Sequence, residues 1–287
     1  MKVHHDIPPA LSYDVANHLA ALFVGAGMSY EAGVPTSTML AKKLERDLHR
    51  SSTSSPALKE IAQAYQDQPG LGRIKLLERV KELLSDAMPS PTHHYIPRFE
   101  WARIFTLNYD RLIEQSYLIY HMELVLALHD GSQVLKKSPV GLHPPLPLLR
   151  DAEVQSSLSD PTNLLLYKLH GCLSQIHAQD ASPVLSSSDY DHALANFSPA
   201  FTEALLYSLR HHTLIVIGAG LHEDHLERIF KGVKPPAGPK KFHYIVNRNV
   251  DDIAFWESLG FEEAIEMDAA TFFYKLYHKV EERNSKL

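Results

Sequence analysis

Several short apolar runs punctuate this chain, and five of them stop at a small or polar residue. Leu19–Val24 stops at Gly25, and the run inside W-A-R-I-F-T-L-N-Y-D (101–110) stops near Asn108. N-L-L-L-Y-K-L-H-G (163–171) delivers His170, T-L-I-V-I-G-A-G (213–220) delivers Gly218, and K-F-H-Y-I-V-N (241–247) ends at Asn247. Continuous apolar runs of this length read as strands buried on both faces of a parallel sheet. Weaker runs at Glu123–Ala127, 183–190 and 261–267 predict further strands.

Between the strands the period changes to that of helices. Residues 1–18 read as a leading helix. Thr36 or Ser37 caps a helix to about His49, with Leu40, Leu44 and Leu48 on one stripe. Pro56 suits a first helical position ahead of Leu58, Ile61, Ala62 and Tyr65, and a third helix spans Leu71 to Ala87. Helices are also expected over Arg111–Tyr120, after a turn following 183–190 to about His212, from about Glu223 and from about Ala270, and 128–163 reads as an irregular loop over the active face. The expectation is an α/β fold: a Rossmann-like, doubly wound parallel sheet of about six strands in a single domain over 1–287. A helical insertion at about 36–88 covers the top of that sheet.

Composition removes several functions. A formal net charge of −6 argues against a free-standing nucleic-acid binder. No apolar run approaches the roughly 18 residues that span a bilayer, and M-K-V-H-H-D-I-P-P has no apolar core of a signal peptide, so a cytoplasmic protein is expected. Cys172 is the single cysteine, which excludes intrachain disulfides and a cysteine-built zinc site. The 18 histidines include the doublets His4-His5, His93-His94 and His211-His212, whose side chains diverge on a helix or strand. H-E-D-H at 222–225 lacks an H-E-x-x-H pattern, and no metal is expected.

The glycine turn after the first apolar run carries the clearest chemistry. Gly25, Ala26 and Gly27 let backbone N–H groups approach a phosphate, and Ser29 with the following helix start adds a hydroxyl and a positive dipole end. A dehydrogenase would place an acid at the end of a second strand about 20 residues on. Here that position falls near Glu45, inside a helical stripe. No G-K-[ST] follows the turn, so the P-loop reading fails as well. A nucleotide site remains, formed where Gly25, Asn108, His170, Gly218 and Asn247 end five strands at one edge of the sheet.

These residues resemble one family. G-A-G-M-S-Y-E-A-G-V-P (25–35) is similar to the sirtuin motif G-A-G-x-S-x-x-x-G-[IV]-P, and T-L-N-Y-D (106–110) to T-Q-N-x-D. K-L-H-G (168–171) resembles the sirtuin His-Gly motif. I-V-I-G-A-G (215–220) and I-V-N (245–247) stand where sirtuins have a glycine-rich loop and I-x-N. Departures are equally specific: four zinc-binding cysteines are missing, T-S-T follows Pro35 in place of D-F-R, and Leu107 replaces a glutamine. T-L-N-Y-D-R-L-I-E with K-L-H-G looks like the sirtuin-like NAD-hydrolase branch of bacterial anti-phage defence effectors.

The resemblance implies cleavage of NAD to nicotinamide and ADP-ribose through an oxocarbenium-like ribose, with no metal. Asn108 would hold the ribose and polarise a water or hydroxyl, His170 would act as general base, and Asp110 would stabilise positive charge or fix the Asn108 loop. Gly25, Ala26, Gly27 and Ser29 would take the pyrophosphate, Gly218 the phosphates or adenosine side, and Asn247 the adenosine ribose. Asn108 and Asp110 are also suited to capping the next helix, and Gly218-Ala219-Gly220 to simple packing. Asp189-Tyr190 resembles a family position without an assigned role. An NAD-depleting enzyme needs restraint, which implies a homo-oligomer or a separate sensor protein. The competing readings are a non-catalytic NAD or ADP-ribose sensor and an NAD-dependent deacylase or ADP-ribosyltransferase.

Overall fold

The computed structural model describes residues 1–50, 57–84, 87–122, 124–128, 134–136, 164–175, 183–196, 199–221, 224–231 and 242–285. Among them the strands are β1 (Lys2–His4), β2 (Ala20–Val24), β3 (Arg103–Thr106), β4 (Val125–Leu128), β5 (Val134–Lys136), β6 (Leu165–Lys168), β7 (Thr213–Ile217), β8 (Tyr244–Asn247) and β9 (Glu263–Glu266). They form one nine-stranded sheet in the order β1-β9-β8-β7-β2-β3-β6-β4-β5. Every pairing is parallel except β4 with β5 at one edge. The sheet exceeds the expected six or so because short strands extend both edges.

Both faces are covered, which is why the central strands carry unbroken apolar runs. Ala20, Leu22, Val24, Ile215 and Ile217 point to one face, against Phe272, Phe273 and Leu276 of the helix α12 (Ala269–Asn284) and Leu11 and Val15 of α1 (Pro9–Ala16). Ala21, Phe23, Leu214 and Val216 point to the other, against α9 (Pro199–His211), α10 (Asp224–Lys231) and α11 (Ile253–Ser258). A third core joins α3 (Ser37–Asp47), α4 (Leu58–Asp67) and α5 (Gly72–Leu84) through Leu44, Ile61, Tyr65 and Leu77. Thr36 caps α3 by accepting the Met39 N–H at 3.4 Å. Arg73 of α5 pairs with Asp189 and donates to the Pro183 carbonyl at 3.1 Å, tying this helical layer to α8 (Ser187–Asn196).

Two local expectations are corrected. Residues 1–18 are not one helix: Lys2–His4 add to the sheet beside β9, where His4 pairs with Glu263, and helix begins only at Pro9. A three-residue edge strand is decided by its neighbour, so local pattern does not reveal it. Residues 183–190 form no strand, because the Asp189 carboxylate accepts the N–H groups of Leu185 and Ser186 at 3.0 and 2.9 Å and opens α8 instead. Of 128–163, only Leu128, in β4, and the β5 residues are described, and Pro56 and Glu223 also lie outside the described residues.

His93 sits fully buried in α6 (Pro91–Tyr95), where its Nδ1 accepts the Ser90 N–H at 3.3 Å. Burial, with the neighbouring charge of His94, pushes its pKa down from the ordinary 6.5 to about 4. The unfolded chain therefore binds this proton more readily, and stability falls as pH drops from about 6.5 toward about 4. The full window is worth about 3 kcal/mol. Urea denaturation at pH 7 and pH 4.5 is expected to show a smaller acid loss in His93→Gln, which retains an acceptor for Ser90, than in the parent. An equal loss in both proteins would contradict this assignment.

Candidate active site

The order of strands reverses around β2, which has β3 on one side and β7 on the other. In an open parallel sheet this is where the carboxyl ends leave a crevice. A cleft of about 560 Å³ lies there, lined from below by Gly25, Ala26, Gly27, Asn108, Asp110, His170 and Gly218. Thr36, Leu40, Leu58 and Leu84 of the helical layer and Tyr190 of α8 line its other walls.

The two glycine turns form the floor by packing on each other. Gly25 donates its N–H to the Ile217 carbonyl and Gly27 to the Gly218 carbonyl, each at 2.9 Å. A Cβ on Gly25 would stand 2.4 Å from the Gly218 oxygen, and one on Gly218 would stand 2.5 Å from the Met28 nitrogen. Gly218 also has φ of +67°. The N–H groups of Gly25 and Gly27 are thus engaged within the protein. Ala26 opens the short helix α2 (Ala26–Ser29), in which the Met28 N–H donates to the Gly25 carbonyl at 3.0 Å.

Asn108 is delivered by the end of β3. Thr106 donates its hydroxyl to the Val24 carbonyl at 2.9 Å and accepts the Asn108 N–H at 3.0 Å, which fixes the turn against β2. The Asn108 Nδ2 donates to Ser29 Oγ at 3.0 Å, and Ser29 Oγ donates in turn to Asp110 Oδ2 at 2.9 Å. Asp110 Oδ1 accepts the Leu112 N–H at 3.1 Å, at the start of α7 (Leu112–Ile119), so Asp110 does cap the helix that follows. Asn108 is 6% exposed, and its Oδ1 has no hydrogen-bond partner among the described residues. Buried polar atoms in folded proteins are nearly always hydrogen-bonded, so one left in this state on a cleft wall calls for a partner such as water or a ligand.

His170 follows β6 and is 3% exposed, with Tyr109 at 6.1 Å and Tyr190 at 5.4 Å between ring centroids. Tyr109 is itself anchored by its hydroxyl, which donates to the Val184 carbonyl at 2.7 Å. Beneath them lies a charge cluster that sequence reading did not assign. Lys168 is completely buried and donates to Glu114 Oε1 at 2.9 Å and to the Asp110 carbonyl. Burial disfavours its ammonium form, but Cys172, Glu114 and Asp110 together outweigh that and hold its pKa above the usual lysine value. Burial pushes Asp110 up, against the opposing pull of Lys168.

Eight of the nine expected site residues thus meet at one sheet edge. Ser29 is one of them, but it is fully buried behind the cleft wall, and its hydroxyl bridges Asn108 and Asp110. Asn247 stands apart: it ends β8, is exposed, and does not line the cleft. Among the described residues no group of three or more His, Cys, Asp or Glu could hold a metal ion, and no helix is long and apolar enough to cross a membrane.

A cleft over a glycine-floored parallel sheet, with an amide and an imidazole at its edge, lies where open α/β folds hold their ligands. Residues 102–263, more than half of the chain, match the family described as SIR2-like domain, and the chain belongs to that family. It is similar to the NAD(+) hydrolase ThsA of Acinetobacter baumannii (strain 532279), 24% identical over 237 residues, covering 80% of this chain and 42% of that protein. It is also similar to the NAD(+) hydrolase ThsA of Enterococcus faecium, 23% identical over 245 residues, with 84% and 46% covered. The chain spans less than half the length of these two relatives. Among solved structures, a Sir2 homologue in complex with NAD shares the fold at a TM-score of 0.57 and 16% identity, covering 98% of this chain and 97% of that one. A second, solved in work on the mechanism and regulation of Sir2 enzymes, has a TM-score of 0.52 and 18% identity, with 96% and 98% covered.

The floor predicts a graded response to alanine. Gly218→Ala combines left-handed strain with the clash at Met28, together about 2–5 kcal/mol. Gly33 has φ of +82° but open space around it, so Gly33→Ala carries the strain alone, about 1–2 kcal/mol. Thermal unfolding is expected to place Gly218→Ala several degrees below Gly33→Ala. Equal midpoints would mean the two turns do not pack as described.

Proposed function

We propose that the chain is an NAD glycohydrolase that releases nicotinamide and ADP-ribose. The observation that carries this reading is the buried Asn108 Oδ1, an acceptor with no partner among the described residues, on the wall of a cleft that His170 also lines. A cleft of about 560 Å³ is within the usual range for small-molecule sites. Membership of the SIR2-like family and similarity to proteins named NAD(+) hydrolase support the choice of substrate.

In this reading Asn108 Oδ1 accepts from a hydroxyl of the nicotinamide ribose and orients the sugar. The bond between C1′ and the nicotinamide nitrogen breaks, and its electron pair leaves with nicotinamide. Water adds to C1′, and His170 takes the proton it releases. Asp110 supplies negative charge near the oxocarbenium-like centre and holds Ser29, and through it Asn108. Ala26 and the floor at Gly25, Gly27 and Gly218 accommodate the pyrophosphate, with Asn247 further along at the adenosine ribose.

The enzyme would act in the cytoplasm as an NAD-depleting effector of anti-phage defence, restrained by assembly or by a separate sensor protein. Support for that role comes from the resemblance of T-L-N-Y-D-R-L-I-E and K-L-H-G to this branch of the family and from the relatives above.

Turnover of fluorescent etheno-NAD by the purified chain, without any acylated peptide, is the expected result. Asn108→Ala and His170→Ala are each expected to lower it by about 10²–10⁴-fold. Turnover that requires an acyl-lysine peptide would replace this reading with a deacylase, and calorimetry showing no NAD binding at all would remove it.

A further inference from the structure

Two residues of the sequence signature have no part in the reaction above. Glu114 closes T-L-N-Y-D-R-L-I-E and Lys168 opens K-L-H-G, 54 residues later. The structure puts them in contact, both buried, with Lys168 Nζ also on the Asp110 carbonyl. A buried ion pair is a poor way to fill space, since apolar side chains of similar volume serve stability as well or better. Its position directly under the Asp110 turn suggests what else it does.

The hydrogen bonds above it have a direction. The Leu112 N–H can only donate, so Asp110 accepts from it. While Asp110 is ionised it must accept from Ser29 as well, so Ser29 gives its proton to Asp110 and can only accept from Asn108. Asn108 then has to present Nδ2 to Ser29, which turns Oδ1 to the cleft. Were Asp110 protonated, it could donate to Ser29, Ser29 could donate to Asn108, and the carboxamide could stand the other way round. Burial favours that protonated form of Asp110, and the positive charge on Lys168 opposes it.

We propose that Lys168, braced by Glu114, is a positioning residue that fixes which way round the Asn108 carboxamide stands. Lys168 holds the Asp110 main chain directly and sets the direction of the Asp110–Ser29–Asn108 chain through its charge. The consequence for catalysis rests on the proposed NAD hydrolysis, whereas the orientation itself does not.

The test compares the parent chain with Lys168→Met/Glu114→Leu, which replaces the pair by apolar side chains and removes both of its charges together. Etheno-NAD kinetics of the parent and Asn108→Ala first establish the reaction. In the double variant kcat is expected to fall about 10–100-fold, as for a misplaced catalytic group, while KM stays within about threefold and the thermal midpoint is retained. Selective ¹⁵N-asparagine labelling gives a readout independent of activity. The Asn108 side-chain amide signal, identified by its loss in Asn108→Ala, is expected to exchange with water at least about tenfold faster in the double variant. Should the double variant not fold, Lys168→Gln, which removes the positive charge and leaves Glu114 in place, is measured instead, with the same direction and a kcat loss of at least about fivefold. Parent-like kcat and an unchanged amide signal in a folded variant would overturn the proposal. A parent that does not cleave NAD would defeat the functional reading, leaving the amide exchange to decide the orientation.

Discussion

The approach of two glycine turns governs this structure. A Cβ on either Gly25 or Gly218 would clash with backbone of the opposite turn, and the carbonyls of Ile217 and Gly218 accept the N–H groups of Gly25 and Gly27. That contact joins the carboxyl ends of β2 and β7 into one surface at the point where strand order reverses. Because the floor is backbone on backbone, it is flat enough for a ligand to lie on. The same contact engages two of the N–H groups that a glycine motif would otherwise offer to phosphate. Glycine here serves close packing first, and ligand access follows from it.

The wall of the cleft rests on a different kind of constraint. Thr106, Ser29, Asp110, Glu114 and Lys168 are all buried, and the bonds described among them and to Asn108 make one connected polar cluster beneath the sheet edge. A partly satisfied cluster of this sort is worse for stability than an apolar core, and a complete one specifies a single arrangement. The exception within it is Asn108 Oδ1. The cluster therefore ends at one side chain, held on its nitrogen side by Ser29 and without a partner on its oxygen side among the described residues.

Much of this is legible in the sequence because parallel strands buried on both faces announce themselves as apolar runs. β2 and β7 are entirely buried, and both are readable as unbroken apolar runs. Edge strands carry no such mark, which is why Lys2–His4 reads as part of a helix. Asp189 shows the converse failure: P-V-L suggests a short strand running to 190, whereas the capping geometry starts the expected helix already at Ser187. At the site, strand ends point to Asn108, Asp110 and His170, since a polar residue after an apolar run is conspicuous. Lys168 is hidden because it lies inside such a run, as the last residue of β6. A lysine at a fully buried strand position is the signal that could have found it, since it demands a buried anion and Glu114 is the partner. The engagement of the glycine N–H groups is invisible to sequence, because it depends on two loops nearly two hundred residues apart.

The most direct test of the account is a crystal structure of the full chain carrying His170→Ala, grown with NAD. The account predicts NAD in the cleft, its pyrophosphate beside Ala26 and a hydroxyl of the nicotinamide ribose within hydrogen-bond distance of Asn108 Oδ1. NAD bound elsewhere, or an Asn108 carboxamide that presents its nitrogen to the ribose, would contradict it.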